Sequence, residues 1–503
     1  MPSMPALPAG NVLPFEKLET AMLEKKLFYI DSEWVAPLEA RELAVIDPST
    51  EEACAVISIG SPADADRAVA VAKRAFESWS KTAPAERLKL VERLLEIYKR
   101  RAPEMAQAIS LEMGAPIDMA LEKQVGAGTW HISNFITAFK DFEFIRPLGP
   151  HAPNDRILMD PIGVVGLITP WNWPMNQVTL KVIPALLAGC TMVHKPSEIA
   201  PLSSMLFAEY IDQAGFPKGV FNLVNGDGAG VGTRLSSHPD VEMISFTGST
   251  RAGVAISKTA AETLKRVVLE LGGKGANLVF ADADTEAVKR GVLHCFNNTG
   301  QSCNAPTRML VERSIYDRVV DEAKAVAESL VVDSSHKPGN HIGPLASEAQ
   351  FQKVQEMIQK GIEEGARLIA GGLGRPEGHE QGYFVRPTIF ADANNDMAIA
   401  REEIFGPVLT IIPFDTEEEA VRIANDTPYG LSNYVQSTDG ERRNRVASQL
   451  RAGMIEMNGN PRGAGSPFGG VKASGRAREG GLWGIEEFLE AKAISGWAGS
   501  NPA

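Results

Sequence analysis

Two kinds of hydrophobic run divide this chain. In its first third, apolar residues recur at helical spacing. From Ser61-Pro-Ala-Asp-Ala-Asp66, helix-start chemistry leads into an amphipathic stretch through Phe76. A second helix is predicted over Pro84–Arg101, with a proline in its first turn and Leu88, Leu90, Val91, Leu94, Leu95 and Tyr98 as its apolar residues. Before these, residues 1–26 read as an extension carrying a short amphipathic helix at Phe15–Lys26, and Leu27–Val35 alternates as strand and turn. After about residue 155 the pattern changes to short apolar runs at Gly163–Ile168, Thr191–Val193, Val220–Val224 and Met243–Phe246, separated by helical stretches such as Leu202–Ala214. The alternation resumes after Gly275 with Asn277–Phe280, Met309–Val311 and Val408–Pro413. Strands alternating with helices predict βαβ units and parallel sheets. The expected architecture is two α/β domains joined near Leu269–Gly275.

Composition narrows the picture. At 503 residues the chain exceeds one ordinary domain, and 44% hydrophobic with 22% charged residues suits a large buried core. A net charge of −13 argues against a nucleic-acid surface. The four cysteines, Cys54, Cys190, Cys295 and Cys303, form no CxxC pair, and no histidine has zinc-ligand spacing, so no metal is expected and a reducing cytoplasm is the natural compartment. No apolar run reaches the length of a membrane span.

Candidate chemistry lies in four places. Gly300-Gln-Ser-Cys-Asn-Ala-Pro-Thr-Arg308 sets Cys303 in a small-residue loop between a helix expected over Thr285–Asn297 and a strand. Such a loop can offer sulfur to a cleft, with backbone N–H groups favouring a thiolate. Cys190 and Cys54 fit the blander reading of a small buried hydrophobe. Glu270 ends an apolar strand before two glycines, either as a partly desolvated general base or as an exposed strand end. Asn172, inside Thr169-Pro-Trp-Asn-Trp-Pro174, sits in a stiff turn that aims an amide donor at a reacting carbonyl or only makes the turn. Gly248 and Ser249 follow a strand and open a helix, offering amides to a pyrophosphate. Asn225–Gly232 is glycine-rich without completing the dinucleotide fingerprint GxGxxG.

Taken in order, the segments PWNWP, KPSE, FTGSTRAG, LELGGK, GQSC, EEIFGPV and SPFGGVKASG resemble the aldehyde dehydrogenase superfamily over residues 27 to 495. The resemblance implies an α/β fold with a Rossmann-like cofactor domain (27–137 and 161–272), a catalytic domain (273–473) and a β bridging arm (138–160 and 474–503), with 1–26 as an extension. The arm implies a homodimer or homotetramer. It further implies Cys303 as nucleophile, Glu270 as the base for the hydrolytic water, and Asn172 with the Cys303 N–H as an oxyanion hole. Lys181 and Glu479 would relay protons outward. Cofactor contacts are implied at Ile168, Thr169, Pro170 and Trp171. Lys195, Ser197 and Glu198 would stand at the adenosine ribose, and Gly228 and Gly232 near the adenine. Phe246, Gly248 and Ser249 would meet the pyrophosphate, while Leu271, Gly272, Glu403 and Phe405 would meet the nicotinamide end.

The implied activity is NAD-dependent oxidation of an aldehyde to a carboxylate through a thiohemiacetal and a thioester. A carboxylate at Glu198 favours NAD, and Lys195 leaves NADP open. Release of the acyl group to CoA is the alternative, against which Glu270 stands. A non-catalytic binding protein on the same fold is another. The chain departs from the family at Val471, at Ala477 and at Leu180, the last suggesting a channel less aromatic than in many relatives. Arg462, in the small-residue run Asn458–Gly465, reads either as a cation for a substrate carboxylate or as a solvated arginine. The wording around Cys303 and Asn458 resembles catabolic members acting on ω-oxo acids or bulky aldehydes.

Overall fold

The computed structural model describes residues 22–499. Two seven-stranded sheets organise it. The first runs in the order Arg266–Glu270, Met243–Thr247, Val164–Ile168, Thr191–Lys195, Phe221–Leu223, Phe28–Ile30, Glu33–Val35. Its first five strands are parallel and its last two form an antiparallel hairpin edge. The second runs Arg367–Ala370, Thr388–Ala391, Val408–Phe414, Arg308–Glu312, Ala276–Val279, Ser432–Gln436, Met454–Met457, parallel except at the Arg367 edge. Central strands such as Val164–Ile168 and Thr191–Lys195 are buried at every position, which is why they read as unbroken apolar runs and not as alternation.

The chain leaves the first sheet at Glu270 and enters the second at Ala276, within the stretch where the sequence places the junction. Helices cover both faces of each sheet. The helix Pro62–Trp79 opens with a capping box in which Ser61 accepts from the Asp64 N–H and Asp64 accepts from the Ser61 N–H. Its predicted end at Phe76 falls three residues short. The helix Pro84–Arg100 buries Val91, Leu94, Leu95 and Tyr98. Ala287–Phe296 is a shorter helix than the sequence suggests.

Two smaller sheets complete the fold. Ile145–Pro147, Arg156–Pro161 and Leu489–Ile494 form an antiparallel sheet that joins chain segments more than 300 residues apart. Leu23–Lys25 pairs in parallel with Glu52–Ser58, which also pairs with Glu42–Asp47. This corrects the helix expected at Phe15–Lys26. Its described end is a strand, because Leu23–Lys25 finds backbone partners at Ala55–Ile57, and the rest lies outside the described residues. Among the described residues no helix is long and apolar enough to cross a membrane.

Candidate active site

The carboxyl ends of neighbouring parallel strands gather most of the residues singled out in the sequence. Ile168, Thr169, Pro170 and Trp171 follow one strand, and Lys195, Ser197 and Glu198 the next. Phe246, Gly248 and Ser249 follow a third, and Glu270, Leu271 and Gly272 a fourth. This edge is where open α/β sheets bind ligands. Lys195 Nζ bonds Glu198 at 3.1 Å, and the carboxylate is partly open to solvent. Ser249 caps the helix Thr250–Ala261 by accepting from the Ala252 N–H, at a helix end of the kind that attracts anions. Gly228–Gly232 makes one wide helical turn, and a side chain at Gly228 would meet open space.

The second domain closes the other end of this trough. Glu403 and Phe405 precede the strand Val408–Phe414, and the ring of Phe405 meets that of Trp171 edge-on at 5.4 Å. Phe405 holds φ at +62°, a backbone strain that fixes the ring across the domain junction. Glu403 accepts from the Gly273 N–H at 2.8 Å, and Gly272 lacks the side chain that would collide with its carboxylate. A dinucleotide with its ribose at Glu198 and its pyrophosphate at Ser249 fits this set of donors and acceptors.

Cys303 lies on the floor of a cavity of about 590 Å³ between the two domains. The loop that carries it is held by strain and hydrogen bonds. Asn298, Thr299 and Gly300 all have positive φ (54°, 57° and 71°), which for β-branched Thr299 costs of order 1–3 kcal/mol. Compensation comes from the Thr299 hydroxyl donating to the Gly343 carbonyl and from the Gln301 amide, which donates to the Asn298 carbonyl and accepts from the Ala346 N–H. Trp173 Nε1 donates to Ser302 Oγ at 2.7 Å, and the Tyr434 hydroxyl donates to the Asn304 carbonyl at 2.6 Å.

Asn172 is buried beside this loop. Its Nδ2 donates to the Gln301 carbonyl at 2.9 Å, while Gln124 and Asn298 both donate to its backbone carbonyl. The side chain is therefore clamped against the loop that carries the thiol.

Glu270 is 2% exposed, and neither carboxyl oxygen has a hydrogen-bond partner among the described residues. Burial pushes its pKa well up, the Glu479 carboxylate adds to this, and Lys181 opposes it. Lys181 is itself fully buried, bonding Glu479 at 2.5 Å and Ser245 Oγ at 3.1 Å. The three groups thus form one electrostatic unit running from Glu270 to the cavity wall, which the buried Glu479 lines.

Two expectations need correction. The Cys303 and Asn304 N–H groups do favour a thiolate, but burial, then Glu403, then Glu270 outweigh them and push the thiol well above its ordinary range. Arg462 lies in the cavity wall, yet its charge is answered by Glu456 at 3.0 Å and its guanidinium rests over the Phe468 ring, so it is not a free cation for a carboxylate. Leu180 is buried in the wall as an aliphatic residue, and the rings of Trp130, Phe135, Trp173, Tyr434 and Phe468 line the same cavity.

Several site residues carry no signal that the sequence reading used. Gln124 and Tyr434 shape the nucleophile loop from a distance in sequence, and Asn298 from within it. Gly469 is one more, since an added Cβ there would fall 2.7 Å from Glu270 Oε1. The string Asn297-Asn-Thr-Gly300 could have signalled left-handed backbone, which Asn and Gly accept most readily.

Comparison with known proteins agrees with this arrangement. The model of the aldehyde dehydrogenase family matches residues 34–494. A 3-succinoylsemialdehyde-pyridine dehydrogenase from Pseudomonas sp. is 52% identical over 481 residues, covering 95% of this chain and all of the relative. A crystal structure of an aldehyde dehydrogenase from Bartonella henselae superposes with TM-score 0.94 at 64% identity, covering 95% of this chain and 100% of that one. A cysteine-to-alanine mutant of aldehyde dehydrogenase C from Pseudomonas syringae, complexed with NAD+ and octanal, gives TM-score 0.92 at 49% identity over 95% and 98% of the two chains. By fold, site geometry and sequence, this chain belongs to the aldehyde dehydrogenase family.

Proposed function

We propose that this chain oxidises a neutral, elongated aldehyde to its carboxylic acid, with NAD as the oxidant and a thioester on Cys303 as the intermediate. The observation that carries the reading is a thiol lining a cavity of substrate size, sharing one electrostatic neighbourhood with Glu270 and with Glu403 of the trough. NAD, when bound there, supplies the hydride acceptor. Relatives crystallised with NAD+ support that choice, as does Glu198, whose charge disfavours a 2′-phosphate. Accordingly, Glu198→Gln is expected to raise kcat/KM with NADP relative to NAD by about tenfold. An unchanged ratio would remove Glu198 from cofactor choice.

The chain's own residues perform the remaining chemistry. Cys303 Sγ attacks the aldehyde carbon while the second Asn172 amide proton and the Cys303 N–H meet the developing oxyanion. After oxidation leaves a thioester, Glu270 takes a proton from a water that attacks the acyl carbon, and Sγ departs. The proton then moves toward solvent along Glu479 and Lys181.

The pairing of the two arginines that line the cavity supports a neutral substrate. Arg462 is neutralised by Glu456 and Arg290 by Asp284. The relatives named for 3-succinoylsemialdehyde-pyridine and complexed with octanal support the same class. The test is NADH absorbance over a panel of aldehydes, with octanal expected to exceed succinic semialdehyde in kcat/KM by about tenfold or more. A carboxylate preference would sink the neutral-substrate reading. Silence across the panel with NAD bound would favour CoA-dependent release or a non-catalytic role.

We also propose assembly as a homodimer or homotetramer through the antiparallel arm, whose edge strand Leu489–Ile494 exposes four consecutive side chains. Light scattering that gave a monomer would overturn this. Four unpaired cysteines suit a reducing cytoplasm.

A further inference from the structure

Behind Asn172, one buried amide ties a turn of the first sheet to the nucleophile loop of the second. Gln124 is fully buried. Its Nε2 donates to the Asn172 carbonyl at 3.0 Å and to Asn298 Oδ1 at 3.2 Å. These two bonds orient the whole cluster. A carbonyl only accepts, so the Gln124 nitrogen must face Asn172, and the Asn298 oxygen must face Gln124. The Asn298 nitrogen then donates to the Asn172 and Gln301 carbonyls, at 2.9 and 3.3 Å. The Gln301 carbonyl also accepts from Asn172 Nδ2, which closes a ring of four residues. Asn172 is gripped at its backbone by Gln124 and Asn298, and at its side chain by Gln301.

The backbone that carries Gln124 is itself braced. It makes a π-helical turn, Ala120–Val125, between the helices Ile117–Met119 and Gly126–Lys140. Such turns are rare, and they occur often at functional sites. The Val125 carbonyl accepts from the Tyr98 hydroxyl at 3.2 Å and from the Thr129 hydroxyl at 3.4 Å. A Cβ added at Gly128 would collide with that tyrosine oxygen. Gln124 Oε1 is buried with no partner among the described residues, a desolvation cost that an apolar side chain of similar size would avoid. What the glutamine supplies against that cost is donation to Asn172 and Asn298.

We propose that Gln124 is a positioning residue for aldehyde oxidation, setting the angle at which the Asn172 amide meets the oxyanion. It acts through the Asn172 backbone and touches no reacting atom. Without its donation the Asn172 carbonyl is left to Asn298 alone, and the turn Thr169–Pro174 can tilt against the nucleophile loop. A misplacement of about 1 Å costs as much as about 10²-fold in rate. The inference rests on the aldehyde-oxidation reading and on the oxyanion role given there to Asn172.

The test pairs a reaction that forms an oxyanion with one that does not. Gln124→Met keeps the length of the side chain and removes its donors. It is expected to lower kcat for NADH formation from octanal by about tenfold or more, with the KM for NAD unchanged. Iodoacetamide alkylates the Cys303 thiol without an oxyanion, so its rate of inactivating the enzyme should stay within about twofold. In an Asn172→Ala background, where the donor is gone, Gln124→Met should cost nothing further. An unchanged kcat, an alkylation rate that falls in step with kcat, or an undiminished loss in the Asn172→Ala background each overturns the proposal. Gln124→Leu carries the same three comparisons if Gln124→Met fails to fold. An Asn172→Ala enzyme as fast as wild type removes the oxyanion role and the proposal with it, while leaving aldehyde oxidation in place. No NADH from the wild-type enzyme with any aldehyde of the panel overturns the oxidation reading itself, and the proposal falls with it.

Discussion

Cys303→Ala is expected to abolish aldehyde-dependent NADH formation, by at least about 10⁴-fold, while leaving NAD binding and the fold intact. The expectation follows from the division of the site. Removing Sγ takes away the thiol to which the proposed covalent intermediate is assigned. Lys195, Glu198, Ser249 and Phe405 lie in the trough and do not depend on the sulfur for their positions. The nucleophile loop should also keep its shape, because its constraints run through Asn298, Gln301, Ser302 and Asn304 and not through the thiol. Fluorescence titration with NAD and a melting curve check the retained half of the prediction, and NADH absorbance checks the lost half. Residual turnover above about one part in 10⁴ would mean that another group carries the acyl transfer.

How much of this was legible in the sequence depends on distance along the chain. Strands buried on both faces announce themselves as short apolar runs, so the two sheets and the crossing between Glu270 and Ala276 could be read directly. The family resemblance was carried by segments such as LELGGK and GQSC, and the structure brings the residues within them to one trough and one cavity. What stayed hidden was pairing between distant segments. Leu23–Lys25 is a strand only because Glu52–Ser58 offers it a partner, so its local amphipathic pattern pointed to a helix. Arg462 looked like a spare cation because Glu456, six residues upstream, reads as an ordinary polar position until both are seen in one wall. The thiol's elevated pKa was likewise out of reach, since Glu403 lies a hundred residues from Cys303. The hydrogen-bond chain Arg290–Gln436–Asn277 likewise joins a helix and two strands far apart in sequence.

Glu270→Gln is expected to separate the two halves of the reaction. Loss of the base should slow hydrolysis of the thioester by about 10²–10⁴-fold. Loss of its charge should act the other way on the thiol, because the Glu270 carboxylate is one of the groups that raise the Cys303 pKa. Mixing this variant with aldehyde and NAD should therefore give one rapid equivalent of NADH per site, followed by a slow steady state. A burst-free trace with an unaltered steady rate would take Glu270 out of the role. The pH dependence supplies an independent sign. Glu270 is raised by burial and by Glu479, so it gains its proton, and the base is lost, at a higher pH than an ordinary glutamate. Deacylation should then fall as pH drops through that raised value. Glu479→Gln removes a charge that raises Glu270 and leaves the opposing Lys181 unanswered, still bonded to Ser245. Both changes lower the Glu270 pKa, so the acid limb of the deacylation profile should move to lower pH. A shift to higher pH would mean that Glu479 reaches the base through geometry and not through its charge.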